Sequence, residues 1–116
     1  MRFDHVAVNV KDISASVEWY KANLGAKVAY QDETWAFLEA GGARIALTLK
    51  SQHPAHIAFD VGPEPPESFL EKARKHRDGS ISRYVTDPDG NALEWIYYPK
   101  TASKAVRPDH SEPDRA

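Results

Sequence analysis

His5-Val6-Ala7-Val8-Asn9-Val10, near the start of the chain, is echoed 51 residues later by His56-Ile57-Ala58-Phe59-Asp60-Val61, matched in kind at every position. Successive side chains of a strand leave on opposite faces. Val6, Val8 and Val10 therefore form one bulky apolar row, as do Ile57, Phe59 and Val61, and the two histidines point the other way. The echo predicts two copies of one structural unit, each opening on a strand with a histidine turned away from its apolar row.

Working outward, Ser14 can cap a helix over residues 14–24, in which Val17, Tyr20, Lys21 and Leu24 recur at near-helical spacing and Gly25 supplies the stop. Strands are expected at 28–31, 34–40 and 43–50, with Gly41-Gly42 turning the chain between the last two. The second copy follows the same order: strand 56–61, the link Gly62-Pro63-Glu64-Pro65-Pro66, a helix near 67–75, strand 81–86, the turn Asp87-Pro88-Asp89-Gly90-Asn91, and strand 92–98. Gly42-Ala43-Arg44-Ile45-Ala46-Leu47 and Gly90-Asn91-Ala92-Leu93-Glu94-Trp95 are 48 residues apart, not 51, so the second unit is shorter inside. Its second strand must be very short or merged with the loop Arg77-Asp78-Gly79-Ser80. Two β-α-β-β-β units, 1–50 and 55–99, thus fill a single domain over residues 1–99. Residues 100–116 hold two prolines, seven charges and hardly any apolar residue, the composition of a disordered tail.

Bulk properties agree with one soluble domain. The 116 residues suit a single core of roughly 100–150 residues, and 41% hydrophobic with 28% charged residues is ordinary for a globular protein. Fifteen Lys and Arg against seventeen Asp and Glu leave a net charge of −2, and no basic run gathers to neutralise phosphates. Nucleic acid and membrane are excluded as expected partners, and no stretch reaches the roughly 20 apolar residues of a span. The absence of cysteine removes disulfides and thiolate chemistry and suits a cytoplasmic location.

Turn geometry brings the chemical residues together. Asp87-Pro88-Asp89-Gly90-Asn91 suits a three-residue hairpin loop, which sets Tyr84 opposite Glu94 on one face. The same logic at Glu39-Ala40-Gly41-Gly42-Ala43 sets Ala36 opposite Ala46, with Leu38, Thr34 and Thr48 beside them. If helices cover Ile45, Leu47 and Trp95, then His5, His56, Glu94 and Ala46 share the uncovered face. Two neutral imidazoles and one carboxylate suit a divalent ion (Fe, Mn, Zn, Co or Ni) with coordination positions left open. The alternative is a pair of hydrogen-bonded structural histidines, which leaves the carboxylate of Glu94 without a partner in a cavity. Ala36, Leu38, Ala46 and Thr48 are expected to wall a substrate cavity, with Tyr84 as a catalytic proton donor or hydrogen-bond partner.

Other signals are weaker. His53, before Pro54, reads as a loop residue. Asp87-Pro88-Asp89-Gly90 begins like a calcium loop, but Tyr98 stands where the closing glutamate belongs. Trp19 and Tyr20 read as a buried helix face. His76 and Arg83 are candidates to contact an anionic substrate, and no phosphate loop or nucleophilic serine motif occurs.

With these residues in view, the chain resembles the vicinal oxygen chelate superfamily of glyoxalase I, fosfomycin-resistance proteins, extradiol dioxygenases, methylmalonyl-CoA epimerases and bleomycin-binding proteins. The likeness is carried by Phe3-Asp4-His5-Val6-Ala7-Val8, the Trp19-Tyr20 to Leu24-Gly25 segment, Ala55-His56-Ile57-Ala58-Phe59-Asp60-Val61, and Thr86-Asp87-Pro88-Asp89-Gly90-Asn91-Ala92-Leu93-Glu94. It implies an α+β fold in which the two modules form a curved mixed sheet around a metal cavity, assembled as a homodimer, with His5, His56 and Glu94 at the ligand positions. Tyr84 matches a tyrosine that faces the metal in fosfomycin-resistance relatives. Ala46 stands where glyoxalase I and the epimerases have a fourth, carboxylate or amide ligand, and a methyl group cannot act as a base. The resemblance therefore implies a small metal-dependent enzyme whose substrate binds through oxygen atoms, with glyoxalase I and epimerase chemistry disfavoured. The alternative is a non-catalytic protein that sequesters an antibiotic-like small molecule.

Overall fold

A computed structural model describes residues 1–76 and 78–100. Arg77, in the expected second loop, and the greater part of the expected tail, 101–116, lie outside these residues. The chain runs β1 (Arg2–Asn9), α1 (Ile13–Leu24), β2 (Lys27–Gln31), β3 (Trp35–Ala40), β4 (Ala43–Thr48), β5 (His56–Asp60), α2 (Glu67–Lys72), β6 (Arg74–Lys75), β7 (Ile81–Thr86) and β8 (Ala92–Tyr97). The strands form one mixed sheet in the order β2-β3-β4-β1-β5-β8-β7-β6. β1 and β5 meet antiparallel at its centre, and each lies parallel to the last strand of its own unit, β4 or β8. The order therefore reads alike in both directions from the central seam, as the repeat requires. This is the expected two-unit α+β architecture with a curved mixed sheet.

Helix α1 begins ahead of the Ser14 cap expected from sequence, because Asp12 takes that role: its Oδ1 accepts the Ala15 amide at 2.9 Å. Gly25 ends the helix as expected, in the left-handed conformation at φ 63°. Ile13 and Val17 pack with Ala36, Leu38 and Leu47 in the main core, whereas Trp19, expected to be buried, is 57% exposed. α2 stops at Lys72, not near residue 75, because Arg74 and Lys75 pair with Ser82 and Ile81 as the very short strand β6. Of α2, Phe69 is buried.

The two hairpins differ in loop length. At β7–β8, Asp87 donates to the Asn91 carbonyl at 2.9 Å, closing the expected three-residue loop, and Tyr84 pairs with Glu94. At β3–β4 the loop has two residues. Gly41 (φ 57°) and Gly42 (φ 81°) both occupy the left-handed region, the backbone of a type I′ turn, so Ala40 pairs with Ala43. A one-residue slip sends every side chain of a strand to the other face. Ala36 thus pairs with Leu47, not Ala46, and Ala36 and Leu38 lie under α1 at 0% exposure. The expectation that these two wall the cavity is corrected: Phe37, opposite Ala46, and Trp35, opposite Thr48, take their place.

Candidate metal centre

Three neighbouring strands, β1, β5 and β8, each contribute one ligand-type side chain to the concave face. His5 pairs across the central seam with Ala58, and Glu94 comes level with the same Ala58 from the other side. His56 lies two residues before Ala58 and so shares its face. Ala58 is 0% exposed, and its small side chain lets the three longer ones converge above it.

A bulge completes the arrangement. Pairing of β1 with β5 jumps from Phe3↔Phe59 to His5↔Ala58, leaving Asp4 as the extra residue. Asp4 and His5, though consecutive, are both buried, at 4% and 6% exposure. Asp4 Oδ2 lies 2.5 Å from His5 Nδ1 and accepts the Tyr98 hydroxyl at 2.7 Å, and Oδ1 accepts from the Arg44 guanidinium at 3.3 Å.

These contacts decide which nitrogen each imidazole offers. A carboxylate only accepts, so His5 donates from Nδ1 to Asp4. A carbonyl only accepts, so His56 donates from Nδ1 to Pro54 O at 2.7 Å. Both Nε2 atoms are left facing inward, 3.3 Å from each other, and Glu94 Oε1 lies 3.4 Å from that of His5 and 3.2 Å from that of His56. Bonds of about 2.1 Å to one ion would hold neighbouring ligand atoms about 3.0 Å apart in octahedral and about 3.4 Å apart in tetrahedral coordination. The three observed separations fall at or between those values, so the residues fit a divalent ion, and His5, His56 and Glu94 could hold one.

Without an ion, three electron-rich atoms crowd one buried space, and a proton is the substitute. Burial opposes a charged His5, but hydrogen bonds to Asp4 and Glu94 outweigh it and raise its pKa to about 9. Burial likewise opposes the charged form of Glu94, yet hydrogen bonds from His5 and His56 hold its carboxyl well below the usual range. Burial and the neighbouring Glu94 carboxylate push the Tyr84 phenol up, so it remains a hydrogen-bond donor at neutral pH.

The trio opens into a cavity of about 400 Å³. Ala46, Thr48 and Tyr84 line it. His76, expected near an anionic substrate, also lines it, with Nε2 2.5 Å from Ser82 Oγ and 3.8 Å from Glu94 Oε2. Arg83 does not: its guanidinium lies over the Trp95 ring at 5.7 Å. Sequence reading missed Asp4, Trp35, Phe37 and Tyr98; His53 is a loop residue as expected, and from that loop its Nδ1 lies 3.2 Å from the Tyr84 hydroxyl oxygen.

Residues 2–64 match the family described as Glyoxalase/Bleomycin resistance protein/Dioxygenase superfamily. The chain is 30% identical to a metallothiol transferase FosB of Staphylococcus haemolyticus, over 78% of this chain and 79% of that protein. It is 27% identical to a probable trivalent organoarsenical cleaving enzyme of Bacillus subtilis, over 96% and 89%. In fold it is similar to methylmalonyl-CoA epimerase from Mycobacterium tuberculosis, with a TM-score of 0.67 and 18% identity over 84% of this chain and 88% of that one.

Proposed function

Given that the chain belongs to the glyoxalase/bleomycin resistance protein/dioxygenase superfamily, we propose that it is a metal-dependent enzyme in which His5, His56 and Glu94 hold one divalent ion and a small molecule binds beside them through its oxygen atoms. The observation that carries this reading is the convergence of two Nε2 atoms and one carboxylate oxygen at 3.2–3.4 Å, with both Nδ1 atoms already committed elsewhere. An ion bound there supplies Lewis acidity, stabilising negative charge that develops on a substrate oxygen. Ala46 and Thr48 leave room for the substrate beside the trio, and Tyr84 donates a hydrogen bond to its oxygen.

Within the family, the residues favour transfer chemistry over proton abstraction by a carboxylate. Ala46 offers no base. The other carboxylate lining the described cavity, Asp78, accepts from the amide and hydroxyl of Ser80 at 2.8 and 2.6 Å. With metallothiol transferases among its relatives, the chain is read as a transferase that joins a low-molecular-weight thiol to an oxygen-bearing small molecule. Homodimeric assembly belongs to the same reading. The test is thiol consumption by metal-loaded protein presented with a panel of oxygen-containing electrophiles. Turnover that stops on chelation and in Glu94→Ala supports the reading, and thiol loss indifferent to both contradicts it.

A further inference from the structure

Two walls of unlike chemistry face each other across the cavity. On the first unit's side Trp35 belongs to an aromatic stack: its ring lies 4.9 Å from that of Tyr30, tilted by 31°, and 5.6 Å from that of Phe37. Phe37 is held by the Arg44 guanidinium, 4.3 Å from its ring centre, and meets the His5 imidazole edge-on at 5.3 Å. Trp35 is half-buried and lines the cavity, whereas Trp19 and Trp95 do not. On the second unit's side the lining includes the Lys75 ammonium and the imidazoles of His76 and His53, and the carboxylate among them, Asp78, is taken up by the amide and hydroxyl of Ser80. A divalent ion beside the single carboxylate of Glu94 adds net positive charge to the floor between the walls.

From this placement we propose that the substrate is an aromatic oxyanion, whose flat ring stacks on Trp35 and whose acidic group reaches from the metal toward Lys75 and His76. The inference rests on the metal-dependent reading above and narrows its substrate class. Neither wall alone selects this class: an aromatic wall accepts any apolar body, and a lysine ammonium accepts any small anion.

The experiment titrates metal-loaded protein with phenylphosphonate, methylphosphonate and inorganic phosphate, following heat and tryptophan fluorescence. Phenylphosphonate is expected to bind about tenfold more tightly than methylphosphonate, the scale of one aromatic stacking contact. Trp35→Leu should erase that difference, with circular dichroism showing the variant to be folded. Lys75→Gln should weaken both phosphonates by the same factor. Equal affinity for the two phosphonates in the parent protein overturns the proposal without any variant, as does a ring preference that survives Trp35→Leu. A protein that binds no divalent ion overturns the underlying reading and this inference with it. Metal binding without ring preference overturns this inference alone.

Discussion

Asp4 fixes the nitrogen that His5 presents, and it does so from inside the protein, held by Tyr98 and Arg44. Among the described residues His56 has the Pro54 carbonyl alone behind its Nδ1, so the two ligands are supported unequally. Removing an outer carboxylate of this kind costs about 10- to 100-fold in metal affinity. Asp4→Asn is expected to show that loss in a calorimetric titration with Zn(II) or Co(II), and unchanged affinity would deny Asp4 the role. The proton on His5 competes with the metal. Its pKa stands at about 9 in the metal-free protein against 6.5 for the free side chain. Stabilisation from that charge is complete below pH 6.5 and is lost as pH rises through about 9. Metal affinity should run the opposite way, rising about tenfold per pH unit across that window and levelling above it. Titrations at several pH values check this, and a flat profile would contradict it. At this scale His5, His56 and Glu94 were legible because the repeat and one correctly read hairpin aligned them. Asp4 was not, because strict alternation sends it away from His5 and only the bulge brings it back.

The β3–β4 hairpin shows why an element's register is harder to read than its existence. Trp35-Ala36-Phe37-Leu38 is apolar at every position, since one face packs under α1 and the other lines the cavity. Such a strand carries no alternation to mark its faces, and the turn alone decides. Gly41-Gly42 supports a two-residue loop, and counting three moves Leu38 from the core into the cavity. Leu38→Ala should therefore destabilise the protein by about 2–5 kcal/mol, the cost of a cavity in a packed core. Metal affinity should stay that of the parent. Denaturant unfolding beside a metal titration checks both, and a mild stability loss with altered ligand binding would restore the three-residue loop. The cap of α1 shows the same limit on a smaller scale: Asp12 and Ser14 are both good caps by residue type, and the observed contact to Ala15 decides for Asp12.

Across the whole molecule, the mirrored sheet puts the seam of two similar units directly beneath the trio, which is why a repeat in sequence announces a site in space. Among the described residues no helix is long and apolar enough to cross a membrane. Phe3 of the first unit and Ile57 and Leu70 of the second remain 42–53% exposed, and α2 buries Phe69 alone, so the two units keep uncovered apolar surface for a second copy of the chain. Sedimentation is expected to give a homodimer at micromolar concentration, and a monomer would contradict that assembly. A metal-dependent activity requires that the folded chain take up a divalent ion at His5, His56 and Glu94. The most direct measurement is a calorimetric titration of chelator-treated protein with Zn(II), Mn(II) and Co(II), beside His5→Ala, His56→Ala and Glu94→Ala, with circular dichroism to verify folding. One ion per chain is expected in the parent, and no saturable binding in any of the three folded variants. Folded variants that bind as well as the parent, or a parent that binds no divalent ion at neutral pH, would contradict that expectation.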